Sequence, residues 1–214
     1  MSLAHDAYDA TWGRLFAAMY DRGLKATEEA GLGEMRRQLL AGAAGRVLEL
    51  GAGTGVNIDL YPAAVTDLVL VEPDPHMAKR LRARLEASPQ QATVLEAPAE
   101  RLPLADDSCD LAVATLVLCT VPNPAAALAE LRRVLVPGGR LLLIEHVRAE
   151  DPARARWQDR LEKPWQFLAD GCHCNRDTAA ALAAAGFGAI ELERDELPKT
   201  PPIIKPLIRG SATA

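Results

Sequence analysis

Apolar residues along this chain follow two patterns: short continuous runs, and residues spaced three and four positions apart. Short runs bounded by turn residues are typical of strands buried on both faces, and the second spacing is typical of amphipathic helices. The two patterns alternate between residues 46 and 147, which predicts an α/β fold with a doubly wound parallel sheet. The predicted strands are Val47–Leu50, Leu68–Val71, Thr93–Leu95, Asp110–Thr115 and Arg140–Glu145, followed by Ala189–Glu193 and by Ile203–Thr213 near the sheet edge.

Helices are expected between these strands. A helix is expected over Pro75–Ala87, and Pro122 and Pro124 start another. Gly186 is a suitable residue to follow a helix over Thr178–Ala185. A helix is also predicted from Val56 to Tyr61, where Pro62 would end it.

The first 45 residues contain no strand pattern and are predicted to form an N-terminal helical extension to a main domain at 46–214. Gly23, Gly31 and Gly33 break the stretch, and Glu34–Leu40 is expected to form its second helix. An aromatic stripe at helical spacing would either pack against the main domain or form a lid over a substrate. The stripe consists of Tyr8, Trp12, Phe16, Met19 and Tyr20.

Composition narrows the class of protein. Of the 214 residues, 49% are hydrophobic, which excludes a disordered chain, and the net charge of −5 argues against a nucleic-acid partner. The longest apolar run, Leu111–Cys119, is about half of the ~20 residues that a membrane helix needs. We expect a cytoplasmic monomer or homodimer without a transmembrane segment. Peripheral membrane contact through the N-terminal helix or the proline-rich tail stays open.

A glycine-rich turn follows the first predicted strand, in the segment RVLELGAGTGVN at Arg46–Asn57. Glycine allows positive φ and lets a ligand lie directly against the backbone. The spacing is G-x-G-x-G, with Val56 where a dinucleotide enzyme usually has its third glycine, which disfavours a nicotinamide cofactor. Glu72 ends the second strand, where a carboxylate can accept both hydroxyls of a ribose; it could also be a plain surface acid.

Together with Glu72 and the Ala99-Glu100 loop, this turn resembles the class I S-adenosylmethionine-dependent methyltransferases, over Arg46–Val147. The resemblance implies a Rossmann-like, mostly parallel seven-stranded sheet and S-adenosyl-L-methionine as cofactor. The cofactor-binding residues that it implies are Glu49, Gly51, Ala52, Gly53, Thr54, Gly55, Asn57, Glu72, Pro73, Met77, Ala99, Glu100 and Thr115.

A second set of motifs is similar to the animal methyltransferase-like alkyl-thiol methyltransferases. These motifs are TLVLC at Thr115–Cys119, RRVLVPGG at Arg132–Gly139, EHV at Glu145–Val147, and Asp170-Gly171-Cys172. The resemblance starts near residue 35 and does not include the membrane-anchoring N-terminal segment of those enzymes. It implies methylation of a small thiol, and the apolar Leu116–Val121 segment favours a partly hydrophobic one. The alternatives are N- or O-methylation of a metabolite, quinone or phospholipid headgroup, and a non-catalytic S-adenosylmethionine-binding protein.

The candidate catalytic residues are His146, Asp170 and Cys172. His146 ends the fifth strand, where it would act as a base or be a buried histidine bonded to the backbone. Asp170 would orient a base or cap a turn, and Cys172, like Cys119, would line a thiol pocket or belong to the core. The tripeptide Cys172-His173-Cys174 lacks the second ligand pair of a structural zinc site, so no metal site is predicted.

Overall fold

The computed structural model describes residues 13–214. Its strands are β1 (Gly45–Leu50), β2 (Val65–Val71), β3 (Thr93–Leu95), β4 (Cys109–Thr115), β5 (Leu135–His146), β6 (Gly188–Glu196) and β7 (Pro206–Thr213). They form one seven-stranded sheet in the order β3-β2-β1-β4-β5-β7-β6. Strands β1 to β5 pair in parallel, and β7 is antiparallel to both of its neighbours. The predicted α/β class and mostly parallel seven-stranded sheet are confirmed.

Helices cover both faces of the sheet. They are α1 (Arg14–Thr27), α2 (Gly33–Leu40), α3 (Pro75–Ala87), α4 (Pro124–Val134), α5 (Pro152–Leu168) and α6 (Thr178–Ala184). Neighbouring strand residues point to opposite faces, so Val47 and Leu48 belong to two different apolar clusters. Burial on both faces explains why the strands read as continuous apolar runs.

The connection after β1 differs from the predicted helix over Val56–Tyr61. It contains only a single 3₁₀ turn at Ile58–Leu60. The backbone N–H of Gly55 donates to the carbonyl of Ala52, so the glycines form a tight turn. Pro62 follows too closely for an α-helix to develop, because proline removes a donor and restricts the residue before it.

Helix α5 was not predicted, because Pro164 lies inside it and proline is unfavourable in a helix interior. Its start does carry a signal: Asp151 accepts a hydrogen bond from the N–H of Arg154, and Pro152 is the first helical residue. The last strand begins at Pro206, after a 3₁₀ turn at Pro202–Ile204, and lies one strand inside the edge.

In the N-terminal region, Gly23 lies inside α1 and does not break it. A π-helical turn at Glu28–Leu32 joins α1 to α2, and the kink there is at Gly31, with φ of 152°. Tyr8 and Trp12 of the aromatic stripe lie outside the described residues. Among residues 13–214, none of the helices combines the length and the apolar character that crossing a bilayer requires.

Candidate active site

A cavity of about 840 Å³ opens at the carboxyl ends of the parallel strands. Open α/β sheets bind ligands at this edge, where the strand order reverses between β1 and β4. The lining includes residues at the ends of β1, β2, β4 and β5, namely Gly51, Glu72, Thr115 and His146. A volume of this size is large for a small-molecule pocket, with room for a nucleoside cofactor beside an acceptor.

The glycine turn contributes differently at each of its three glycines, all of which have positive φ. A Cβ on Gly51 would lie 2.1 Å from Val117 Cγ2, and one on Gly55 would lie 2.6 Å from Ile58 Cδ1. Those two glycines allow the protein to pack. A Cβ on Gly53 would meet nothing within 4 Å, and Gly53 lines the cavity. Gly53 therefore leaves backbone open for a ligand.

Glu72 lies beside this turn. Its carboxylate accepts hydrogen bonds from the backbone N–H groups of Gly53, at 2.8 Å, and Asp74, at 2.9 Å. Burial raises the pKa of Glu72 to about 7, and the nearby charges of Asp74 and Asp170 add to this rise. Asp74 also caps α3 through the N–H groups of His76 and Met77. The loop, the acid and the helix start are thus connected as one unit.

The raised pKa of Glu72 predicts a pH-dependent stability. Its ordinary value is 4.5, so its stabilising contribution is complete below that pH and is lost as the pH rises through about 7. At roughly 1.36 kcal/mol per pKa unit, the change amounts to about 3 kcal/mol. Because glutamine does not ionise, we expect the thermal midpoint of Glu72→Gln to rise relative to the wild-type protein between about pH 5 and about pH 8. Scanning calorimetry without cofactor measures this difference.

Comparing the thermal midpoints of the two proteins at each pH cancels the contributions of the other titrating groups. Burial also raises the pKa of Glu145 to about 7, but Glu145 is present in both proteins and cancels. A gap between the two midpoints that stays constant with pH would contradict the prediction.

A buried polar network lies behind the glycine turn. Glu49 accepts hydrogen bonds from Asn57 Nδ2, at 2.9 Å, and from the Tyr61 hydroxyl, at 2.7 Å. Arg36 Nη1 donates to Thr115 Oγ1, at 2.7 Å, and to Asn57 Oδ1, at 3.3 Å. Burial raises the pKa of Glu49. In this network only Thr115 lines the cavity, so Glu49 and Asn57 support the turn from behind.

Three further residues of the predicted cofactor set, Ala52, Thr54 and Gly55, also lie outside the lining. Thr54 Oγ1 instead donates to Asp21 Oδ1 of α1, at 2.5 Å. The rest of the predicted set lines the cavity: Gly51, Gly53, Glu72, Pro73, Met77, Ala99, Glu100 and Thr115.

Helix α1 lies along the cavity. Phe16, Met19 and Tyr20 of the aromatic stripe are among its lining residues, and the rings of Phe16 and Tyr20 are 5.5 Å apart. Desolvation raises the pKa of Tyr20 to about 12, so its hydroxyl stays protonated near neutral pH. Asp21 joins the helix to α3 through an ion pair with Arg84 Nη2, at 2.8 Å. Helix α1 therefore both packs against the main domain and contributes side chains to the cavity wall.

The structure brings His146 and Cys172 together with Cys119, and we call these three residues the cysteine–histidine cluster. The two sulfurs are 3.7 Å apart, and His146 Nδ1 lies 3.8 Å from Cys119 Sγ and 3.6 Å from Cys172 Sγ. All three are buried and line the cavity. The hydrogen bond between the thiols and the neighbouring imidazole lower the pKa of Cys172.

Glu145 holds the turn that carries Cys119. Its carboxylate accepts the backbone N–H groups of Val117, Leu118 and Cys119, at 2.9, 2.8 and 3.2 Å. Leu116, just before them, has φ of 59°, an unfavourable conformation for leucine that these bonds maintain.

Asp170 lines the same cavity, and its charge contributes to the raised pKa of Glu72. Its φ is 48°, so it lies in a tight turn. His173 Nδ1 contacts Glu162 Oε1, at 3.0 Å. All three predicted catalytic residues line the cavity, and His146 and Cys172 belong to the cysteine–histidine cluster.

Comparison with known proteins identifies the family. The model of a family described as a methyltransferase domain matches residues 48–143. Human thiol S-methyltransferase TMT1B is 40% identical over 179 residues, which are 81% of this chain and 73% of that protein. Human thiol S-methyltransferase TMT1A is 35% identical over 181 residues, covering 82% of this chain and 74% of that protein. The chain belongs to this methyltransferase family.

The fold agrees with this methyltransferase identity. A crystal structure of an S-adenosylmethionine-dependent methyltransferase from Thermotoga maritima superposes with a TM-score of 0.68 and 25% identity, over 94% of this chain and 97% of that one. The cofactor of the methyltransferase described here is accordingly S-adenosylmethionine.

Sequence reasoning missed two supporting residues of this methyltransferase. Arg36 was not among the predicted residues, yet its side chain is only 2% exposed and belongs to the buried network. A signal was available, because Arg36 lies four residues from both Leu32 and Leu40, on the buried face of the helix. Asp21 carried no such signal, since its partners Thr54 and Arg84 are distant in sequence.

Proposed function

We propose that this methyltransferase transfers the methyl group of S-adenosylmethionine to the sulfur of a small, partly apolar thiol in the cytoplasm. The observation that carries the proposal is the 35–40% identity to thiol S-methyltransferases over four-fifths of the chain. The cavity supports it, because one end carries the features suited to a nucleoside and the other is mostly apolar.

The nucleoside end fits the cofactor. The open backbone at Gly53 gives the methionine part and the ribose a surface to lie against, and Glu72 accepts the ribose hydroxyls. Met77 and Ala99 are buried and border the adenine, while Glu100 lies beside its amino group. Thr115, fixed by Arg36 Nη1, offers its carbonyl to the methionine ammonium.

The acceptor end is lined mainly by apolar side chains, including Leu116, Val121, Trp165 and Ile204. Its lining also includes the cysteine–histidine cluster, which would hold the acceptor sulfur and favour its thiolate form. A thiol is only a few per cent ionised at neutral pH but reacts well as the thiolate. When bound, the cofactor supplies a sulfonium methyl group for in-line displacement.

The main task of the protein is to position the reactants and exclude water. Phe16 and Tyr20 of α1 and Trp165 of α5 form part of the cavity wall. With these apolar walls in place, the sulfur and the methyl group meet in a site with little competing water.

The direct test is incubation with methyl-labelled S-adenosylmethionine and a panel of acceptors: an alkyl thiol, an amine, a phenol and phosphatidylethanolamine. We expect label in the thiol product, identified by mass spectrometry as a methyl thioether. Transfer to the amine, phenol or lipid without transfer to the thiol would reject the proposed acceptor. Binding of the cofactor without transfer to any acceptor would support a non-catalytic role.

Replacing His146 by alanine is expected to slow methyl transfer by about 10²-fold and to leave cofactor affinity unchanged. The polar contacts of the ring within residues 13–214 are with Cys119 and Cys172, which belong to the proposed acceptor end. Single-turnover rates and calorimetric titration with S-adenosylmethionine separate the two effects. His76→Ala, whose side chain lies outside the cavity lining, serves as control. An unchanged rate in His146→Ala would remove this residue from the mechanism.

A further inference from the structure

The cysteine–histidine cluster has the dimensions of a metal site. With zinc–sulfur bonds of about 2.3 Å and zinc–nitrogen bonds of about 2.0 Å, ligand atoms at the corners of a tetrahedron are roughly 3.8 Å (S···S) and roughly 3.5 Å (S···N) apart. The separations here are 3.7 Å between the sulfurs, and 3.8 and 3.6 Å from the sulfurs to His146 Nδ1. Three corners of such a tetrahedron are therefore already in place.

Each of the three donors is held by its own backbone element. Glu145 fixes the turn that carries Cys119, through three N–H groups. His146 ends β5, in the middle of the sheet, and pairs with Leu207 of β7. Cys172 follows α5, and the next residue donates its N–H to the carbonyl of Cys119, at 2.7 Å. The arrangement is thus rigid without a metal.

The polar surroundings of the His146 ring indicate a bound group that is not part of the protein. Within residues 13–214, the polar contacts of Nδ1 are the two sulfurs, and Nε2 is buried without a hydrogen-bond partner. Buried imidazoles usually bond to oxygen or nitrogen, so an environment of two sulfurs is unusual for structural reasons alone. It is the environment of a histidine that shares a soft metal ion with two thiolates.

The three donor atoms favour zinc and leave its fourth coordination position for the substrate. Two thiolates and one imidazole are a known catalytic zinc set with an open fourth position, and their charges neutralise a divalent ion. All three residues line the cavity, so an ion held between them would be accessible to a substrate in the cavity.

We propose that Cys119, His146 and Cys172 bind a zinc ion whose fourth position takes the acceptor thiol as its thiolate. This inference rests on the proposed thiol methylation and explains how the acceptor is ionised. The thiol S–H proton is released to solvent on binding, because metal coordination deprotonates a thiol. The thiolate sulfur then forms a bond to the methyl carbon as the bond from that carbon to the cofactor sulfonium breaks. The products are a methyl thioether, which is a weak neutral ligand and leaves, and S-adenosylhomocysteine.

The first test is the metal content of the purified full-length protein. Mass spectrometry of the metals should give about one zinc per chain for the wild type, and strongly reduced zinc for Cys119→Ser and Cys172→Ser. Cys109→Ala and Cys174→Ala are matched controls, since these cysteines are buried outside the cavity lining, and they should keep the metal. Circular dichroism checks that the variants are folded. Wild-type protein that neither contains zinc nor takes it up when zinc is added would overturn the proposal.

The second test replaces zinc by cobalt(II) in protein stripped with a chelator. We expect the intense visible bands of tetrahedral cobalt and a sulfur-to-cobalt charge-transfer band, both altered by an alkyl thiol but not by its methyl thioether. Stripped protein should lose methyl transfer by on the order of tenfold or more and regain it with zinc, because the free thiol is mostly protonated. Full thiol methylation by metal-free protein would refute the zinc site and leave the proposed function intact. A cobalt site whose spectrum ignores thiols would refute the role of the metal in binding the acceptor.

Discussion

Gly53→Val is expected to abolish S-adenosylmethionine binding while the protein stays folded. A Cβ at this position meets no protein atom within 4 Å, so the valine side chain would project into the cavity and occupy the surface proposed for the cofactor. The φ of 57° adds roughly 1–2 kcal/mol of backbone strain. We expect affinity to fall by at least about a hundredfold, since a steric block removes about 3 kcal/mol or more of binding. Calorimetric titration with S-adenosylmethionine measures the loss.

Gly138→Val separates the steric block from the strain. Gly138 also has positive φ, at 79°, and open space around its Cβ position, but it lies outside the cavity lining. It should lose similar stability and keep cofactor affinity. If Gly53→Val bound the cofactor as tightly as Gly138→Val, the proposed contact with the glycine turn would be wrong.

Arg36→Ala is expected to destabilise the protein by about 3–5 kcal/mol, because it removes one partner of a buried charged network. Arg36 is paired with Glu28 Oε1, at 3.1 Å, and also donates to Asn57 and Thr115. Without the guanidinium, these acceptors remain in the protein with fewer donors. Urea unfolding followed by circular dichroism gives the free energy of unfolding.

The next residue along the chain provides the control. Arg37 forms an ion pair with Glu34 on the exposed face of the same helix, where 62% of its side chain is accessible. Exposed pairs contribute about 0–1 kcal/mol, so Arg37→Ala should change stability little. Equal losses for the two variants would show that helix propensity, and not the buried network, sets the effect.

Much of the sheet could be predicted because its strands are buried on both faces. A continuous apolar run such as Leu68–Val71 identifies such a strand directly. The start of α3 was equally readable, since Asp74 supplies a cap and Pro75 the first helical residue. These elements are determined by neighbouring residues, so the sequence pattern predicts them.

The elements that the sequence did not predict depend on contacts with distant parts of the chain. Helix α5 tolerates Pro164 because tertiary packing outweighs a local penalty, with Gln158 fully buried and donating to three backbone carbonyls. The 3₁₀ turn after β1 replaces a helix because Asn57, whose side chain is committed to Glu49 and Thr115, ties the connection to the sheet.

The candidate site also contains features that local sequence predicts and features that depend on distant contacts. Gly53 and Glu72 could be predicted, because a turn after a strand and an acid at the end of the next one come together in any such sheet. His146, Cys119 and Cys172 were candidates for the site, but their close grouping could not be predicted, since the two cysteines are 53 positions apart. The tripeptide Cys172-His173-Cys174, which lacks a second ligand pair, contributes only one member of the cluster.

The double attachment of Asp21 has a consequence for the order of events on the enzyme. The Asp21 carboxylate binds both Thr54 of the glycine turn and Arg84 of α3. A single residue therefore connects α1 to the glycine turn and to α3. A movement of α1 away from the cavity would have to break both contacts. Where such a movement accompanies cofactor binding, binding stabilises the closed position by the same free energy by which closure strengthens binding.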